Sequence, residues 1–79
     1  MKLNEELLNK IIEIVSENLS NETIDINSSS SKISKWDSMS HIRIILSLEK
    51  QFSKIDNSIL HELNSVKKIY DYFLNKKNN

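Results

Sequence analysis

The chain has 79 residues, eleven basic and eleven acidic, with no cysteine, glycine or proline. That length gives room for one small domain, residues 1–79, and too little interior to enclose a substrate and assemble a catalytic constellation as well. Cancelling charge leaves no global field for nucleic acid or an anionic membrane, absent cysteine removes disulfides and thiolate metal sites, and absent glycine removes the Gly-rich loops of nucleotide-binding folds.

Leu3, Leu7, Leu8, Ile11, Ile12, Val15 and Leu19 recur at spacings of three and four with charged residues between them, which predicts an amphipathic first helix. From Ser20 to Lys35 the periodicity fails. This stretch, with its serine run Ser28 to Ser31, is too short to separate two domains and reads as a long interhelical loop anchored by Ile24, Ile26 and Ile33. Ile42, Ile44, Leu46 and Leu48 alternate as in a strand, while Ile42, Ile45, Leu46 and Glu49 keep helical spacing. Length, the capping residues Asp37 and Ser38, and the lack of a partner strand decide for a helix over Ser38 to Phe52. Its apolar surface is wide enough to pack on more than one side or to meet a ligand or partner. A short helical turn is expected over Asn57 to Leu60. A last helix opens on Ser65 as N-cap, turns Val66, Ile69, Tyr70, Phe73 and Leu74 inward, and frays over Asn75 to Asn79. The fold class is therefore all-α: four helices, a long first loop and a short third helix.

No apolar stretch approaches the roughly 20 residues that cross a bilayer. Asn4, Glu5 and Glu6 close behind Met1 do not make a secretory signal, so the expected location is cytoplasmic, without membrane insertion. Ser38 stands at a helix start, where unpaired N–H groups and the helix dipole favour a phosphate, and this makes it a candidate attachment point. Asp37 reads as the cap of that helix. His41, one turn beyond Ser38, invites a nucleophile–base reading, but no third orienting group or oxyanion loop accompanies the pair, and His41 is read as a solvent-facing recognition residue. His61 reads as a surface residue, and two histidines this far apart make no metal motif. Trp36 is read as a loop anchor in preference to a partner contact. Lys67, Lys68, Lys76 and Lys77 form a solvated basic end with no nucleic-acid role.

The tetrad Trp36-Asp37-Ser38-Met39, followed by the apolar run to Phe52, resembles the prosthetic-group site and second helix of acyl carrier proteins. Leu48-Glu49-x-x-Phe52 closing the second helix and Ser65-Val66 opening the last match the same family, and the order of elements follows it over nearly the whole chain. The resemblance implies that a phosphopantetheinyl transferase moves 4'-phosphopantetheine from coenzyme A to Ser38. The arm's thiol then holds an acyl group as a thioester, and the protein itself catalyses nothing. It further implies that Asp37 assists transferase recognition and that Met39, His41 and Arg43 meet partner enzymes. Ile42, Ile45, Leu46, Ile59 and Val66 would line an acyl pocket. Partners would include an acyl- or aminoacyl-loading ligase and an acyltransferase or synthase, served by a monomeric shuttle.

Met39 stands where the family usually has leucine, Trp36 replaces a small residue, and Ser40, Arg43 and Lys50 occupy positions that tend to be acidic in housekeeping fatty-acid carriers. Between Lys32 and Lys54 five basic residues face two acidic ones. A basic enzyme groove fits such a surface poorly, so dedicated partners in a specialised biosynthetic pathway are expected. An aminoacyl or peptidyl carrier is the near alternative. An unmodified helical interaction module and, more remotely, a small hydrolase using Ser38 and His41 are the others.

Overall fold

The computed structural model describes residues 4–77. The inward position expected for Leu3 and the fraying expected at Asn78 and Asn79 lie outside them. Three α-helices and one 3₁₀ helix follow in chain order: α1 over Glu5–Asn18, α2 over Ser38–Gln51, a 3₁₀ helix η1 over Asn57–Glu62, and α3 over Val66–Lys77. The described residues are thus all-α, with one isolated antiparallel bridge between Ser29 and Ser65. No helix among them is long and apolar enough to cross a membrane.

Helix α1 begins at Asn4, whose side-chain oxygen accepts from the Leu7 amide at 3.1 Å, and whose own amide donates to the Tyr70 hydroxyl on α3. It packs against both α2 and α3, which explains why its buried face is broader than the expected stripe. Ile14 is buried with Leu7, Ile11 and Val15, while Leu8 and Ile12 lie at the margin of the core. With no glycine to end it, α1 stops through Ser20 and Asn21, both at positive φ (58° and 61°), and the Asn21 amide returns to the Ser16 carbonyl at 2.8 Å. This is the bond pattern that glycine normally supports.

The helical reading of the second segment holds. Ile44, Ile45 and Leu48 face the core, whereas Ile42 and Leu46 on the same helix face outward, so the strand-like alternation carries no strand. Phe52 meets Phe73 of α3 with ring centres 4.9 Å apart and the rings tilted by 42°. The core is completed by Leu19, Ile24, Trp36, Ile55, Leu63, Val66, Ile69 and Tyr70. Removing a Leu or Ile of this set from water contributes about 1.5–3 kcal/mol.

The long loop is pinned down along its serine run. The Val66 amide donates to the Ser28 carbonyl at 3.0 Å and the Ser30 amide to the Asn64 carbonyl at 2.9 Å, so residues 28–30 clasp the turn that opens α3. Ser28 is itself buried, its hydroxyl accepting from the Asp25 amide at 2.9 Å. Of the expected anchors, Ile24 is buried and Ile33 packs against the core, but Ile26 stays outside the core cluster. Ser65 caps α3 as expected, accepting from the Lys68 amide at 3.1 Å. The fraying expected from Asn75 onward is corrected: α3 continues to Lys77, and the Lys76 ammonium ties its last turn to the Lys54 carbonyl at 2.9 Å.

Candidate functional site at the start of helix α2

Asp37 is extended (φ −94°, ψ −175°), and its Oδ1 accepts from the Ser40 amide at 2.9 Å. That amide, followed by the Ser40 hydroxyl and the Arg43 charge, holds the Asp37 carboxyl below its ordinary value of 3.8. Ser38 is the first residue of α2 and is exposed, as is Met39 after it. Amides this close to a helix start cannot bond within the helix. The Ser38 and Met39 N–H groups find no other acceptor among the described residues, and the Ser38 hydroxyl likewise has no partner there.

His41 does not face solvent as expected. The Trp36 indole N–H donates to its Nδ1 at 3.0 Å, and its Nε2 lies 2.7 Å from the Leu60 carbonyl oxygen. An indole nitrogen only donates and a carbonyl only accepts, so Nδ1 is the bare nitrogen and Nε2 carries the proton. The ring is half-buried, stacked at 6.3 Å and 26° on Trp36, and braces the loop before Ser38 against η1. With both nitrogens engaged, neither accepts the Ser38 proton. Trp36, 3% exposed, anchors the loop in the core as read from the sequence.

Two recesses run along the crevice between α2 and η1. The first, about 410 Å³, lies beside Ser38 and is walled by Trp36 and Ile42 on its apolar side and by Ser30, His61 and Asn64 on its polar side. The second, about 200 Å³ and more apolar, is lined by Ile42, Ile45, Leu46 and Leu60, with Glu49 and Asn57 at its edge. They share His41, Ile42 and His61, so one leads into the other. Ile42, Ile45 and Leu46 of the expected acyl pocket come together here, whereas Ile59 and Val66 do not. Val66 is fully buried in the core beneath the clasp, and Ile59 turns to a separate depression with Ile55 and Tyr72. Leu60 takes the place given to Ile59, because η1 has three residues per turn and sets Asn57 and Leu60 on one face.

Among the described residues Met39, Ile42 and Leu46 are the exposed large hydrophobic ones, at 66%, 56% and 59%. Arg43, beside them, donates to the Ser40 hydroxyl at 3.0 Å. Glu49, the one carboxylate within α2, accepts from the Ile55 amide at 2.9 Å and so closes the turn after the helix. Sequence reasoning missed Ser30, Leu60 and Asn64 as wall residues and left His61 as plain surface. Only the three-residue spacing of Asn57 and Leu60 offered a signal. Among the described residues no group of three or more His, Asp or Glu side chains is placed to hold a metal ion. No known protein family, curated protein or solved structure gives a match to this chain.

Proposed function

We propose that this chain is a carrier protein of the acyl-carrier-protein type, bearing a 4'-phosphopantetheine arm on Ser38. The observation that carries the reading is an unpaired serine hydroxyl at an exposed, Asp-capped helix start, opening onto a crevice that runs from polar to apolar. The arm supplies a terminal thiol on which an acyl group is held as a thioester. Ser38 gives up its proton as its oxygen bonds to phosphorus, and the adenosine bisphosphate portion of coenzyme A leaves. The free amides of the first turn of α2 suit the phosphate charge that results. Asp37 holds the turn in shape and the flexible Met39 offers a partner an apolar contact beside the serine.

An acyl cargo is favoured over an aminoacyl one by the second recess. Its lining is mostly apolar, formed by Ile42, Ile45, Leu46 and Leu60. Each CH₂ sheltered there would contribute about 0.8 kcal/mol. The exposed Met39, Ile42 and Leu46 support a second reading, an unmodified module that docks a partner through α2. Intact mass spectrometry after incubation with coenzyme A and a broad-specificity phosphopantetheinyl transferase separates the two. The carrier gains the arm and Ser38→Ala does not. A wild-type chain that stays at its apo mass with every transferase of its host removes the carrier reading.

A further inference from the structure

The polar recess beside Ser38 has a wall that the attachment chemistry alone does not require. Ser30 comes from the long loop, His61 from the end of η1 and Asn64 from the turn before α3, yet all three line the same 410 Å³ as Ser38. None of their side chains hydrogen-bonds within the described residues. Polar side chains left open on a rigid concave surface are the usual means by which a site orients a ligand.

This wall is held in place from behind. The Ser30 amide to Asn64 carbonyl bond fixes two of its members to each other, and the adjacent Val66 amide to Ser28 carbonyl bond locks the clasp. The third is fixed through its neighbour, because His41 on α2 holds the Leu60 carbonyl immediately before His61. Backbone bonds spaced this way hold the three positions beside one another while leaving their side chains unpaired. Pre-ordering of that kind lowers the entropy lost on binding.

We infer that Ser30, His61 and Asn64 form a seat for the phosphate-proximal, amide-bearing half of the arm carried by Ser38. The inference rests on the carrier reading and adds to it a defined resting position of the arm. An arm rooted at Ser38 meets this wall first, before the apolar recess beyond Ile42 and His61. The seat offers hydroxyl, imidazole and carboxamide groups, which match the phosphate, hydroxyl and amide groups of pantetheine. The nearest carboxylate, Asp37, is already committed to the Ser40 amide. His41 is a positioning residue here, since both its ring nitrogens are used in bracing the wall.

The test uses the full chain, isotope-labelled, in apo form and after transferase loading, with mass spectrometry reporting the arm. In the loaded protein the Asn64 side-chain amide and His61 ring signals move from their apo positions and show cross-peaks to the pantoyl methyl protons. In His61→Ala the Asn64 cross-peaks weaken, and in Asn64→Asp, which keeps the shape of the wall while setting a carboxylate against the phosphate, the His61 cross-peaks weaken. Retained amide dispersion and Trp36 emission identify the variants as folded. If Ser38 takes the arm but the His61 and Asn64 signals stay at their apo positions, the seat is overturned and the carrier reading stands. If Ser38 never takes the arm, both fall together.

Discussion

Ser38 and His41 lie one turn apart on α2, yet the fold treats them differently: the hydroxyl is open and the imidazole is bonded at both nitrogens. Ser38→Ala therefore removes the proposed attachment point while changing stability by no more than about 0.5 kcal/mol, as for other exposed positions. His41→Ala is expected to behave in the opposite way. It strands the indole N–H of a nearly buried Trp36, at a cost of about 1–3 kcal/mol. In a domain of this size each kcal/mol lowers the thermal midpoint by about 4–8 °C. Thermal unfolding followed by Trp36 emission checks this, and an unchanged midpoint would dismiss the brace. Asp37 and Asp56 supply the pH dependence that can be read directly. The Ser40 amide and the Ser58 amide hold their respective carboxyls below the ordinary 3.8. Between the folded and unfolded values the unfolded chain binds more protons, so stability rises with pH there. The contribution is complete above 3.8 and disappears as pH falls through the folded values. The midpoint difference between the wild type and an Asp37→Asn, Asp56→Asn double variant should be constant above about pH 5 and close in acid. A difference that persists unchanged into strong acid would show that the caps act without their charge.

Among the elements, the end of α1 stores strain that a single change can release. A left-handed residue other than glycine costs roughly 1–2 kcal/mol, part of which returns as the greater unfolded-state entropy of glycine. Ser20→Gly should raise the thermal midpoint by a few degrees, and Asn21→Gly by less, because asparagine tolerates this region. A lowered midpoint in the serine variant would count against the observed turn. Local signals made much of this level legible. The period of α1, the caps Asp37 and Ser65, and the inward set of α3 all follow from neighbours within a turn or two. What escaped reading depends on distant backbone. The clasp between residues 28–30 and 64–66 uses main-chain groups, which leave no trace in side-chain type. His41 looked like a polar surface position because its acceptor is a carbonyl 19 residues away. Ile59 was assigned to the pocket because its hydrophobicity was visible and the three-residue turn of η1 was not.

For the molecule as a whole, the proposed function turns on the outward face of α2. Met39, Ile42, Arg43, Leu46 and Lys50 fall at i, i+3, i+4, i+7 and i+11, on a single arc of α2 about 100° wide. All five are exposed, and the one carboxylate on the helix is spent on the Ile55 amide. The face is therefore apolar and cationic, and it begins beside Ser38. On the proposed carrier reading cargo is delivered only after docking, so partners that present acidic groups around an apolar groove should be steered toward this face and basic ones turned away. Arg43→Glu with Lys50→Glu reverses the sign without touching the core or either recess wall, and Lys50→Glu alone also leaves the Asp37 cap and its Arg43 neighbour unchanged. The reversed protein should lose roughly tenfold or more in kcat/KM with its own partner enzymes at low salt, a range set by electrostatic steering. It should gain with fatty-acid enzymes whose docking grooves are basic. Both effects should shrink as the Debye length falls from about 10 Å at 0.1 M salt to about 3 Å at 1 M. A salt-insensitive loss would point to direct contacts of the two side chains, because only the steering part is screened. Unchanged kinetics with both classes of enzyme would mean that partner choice is made by the apolar triad alone.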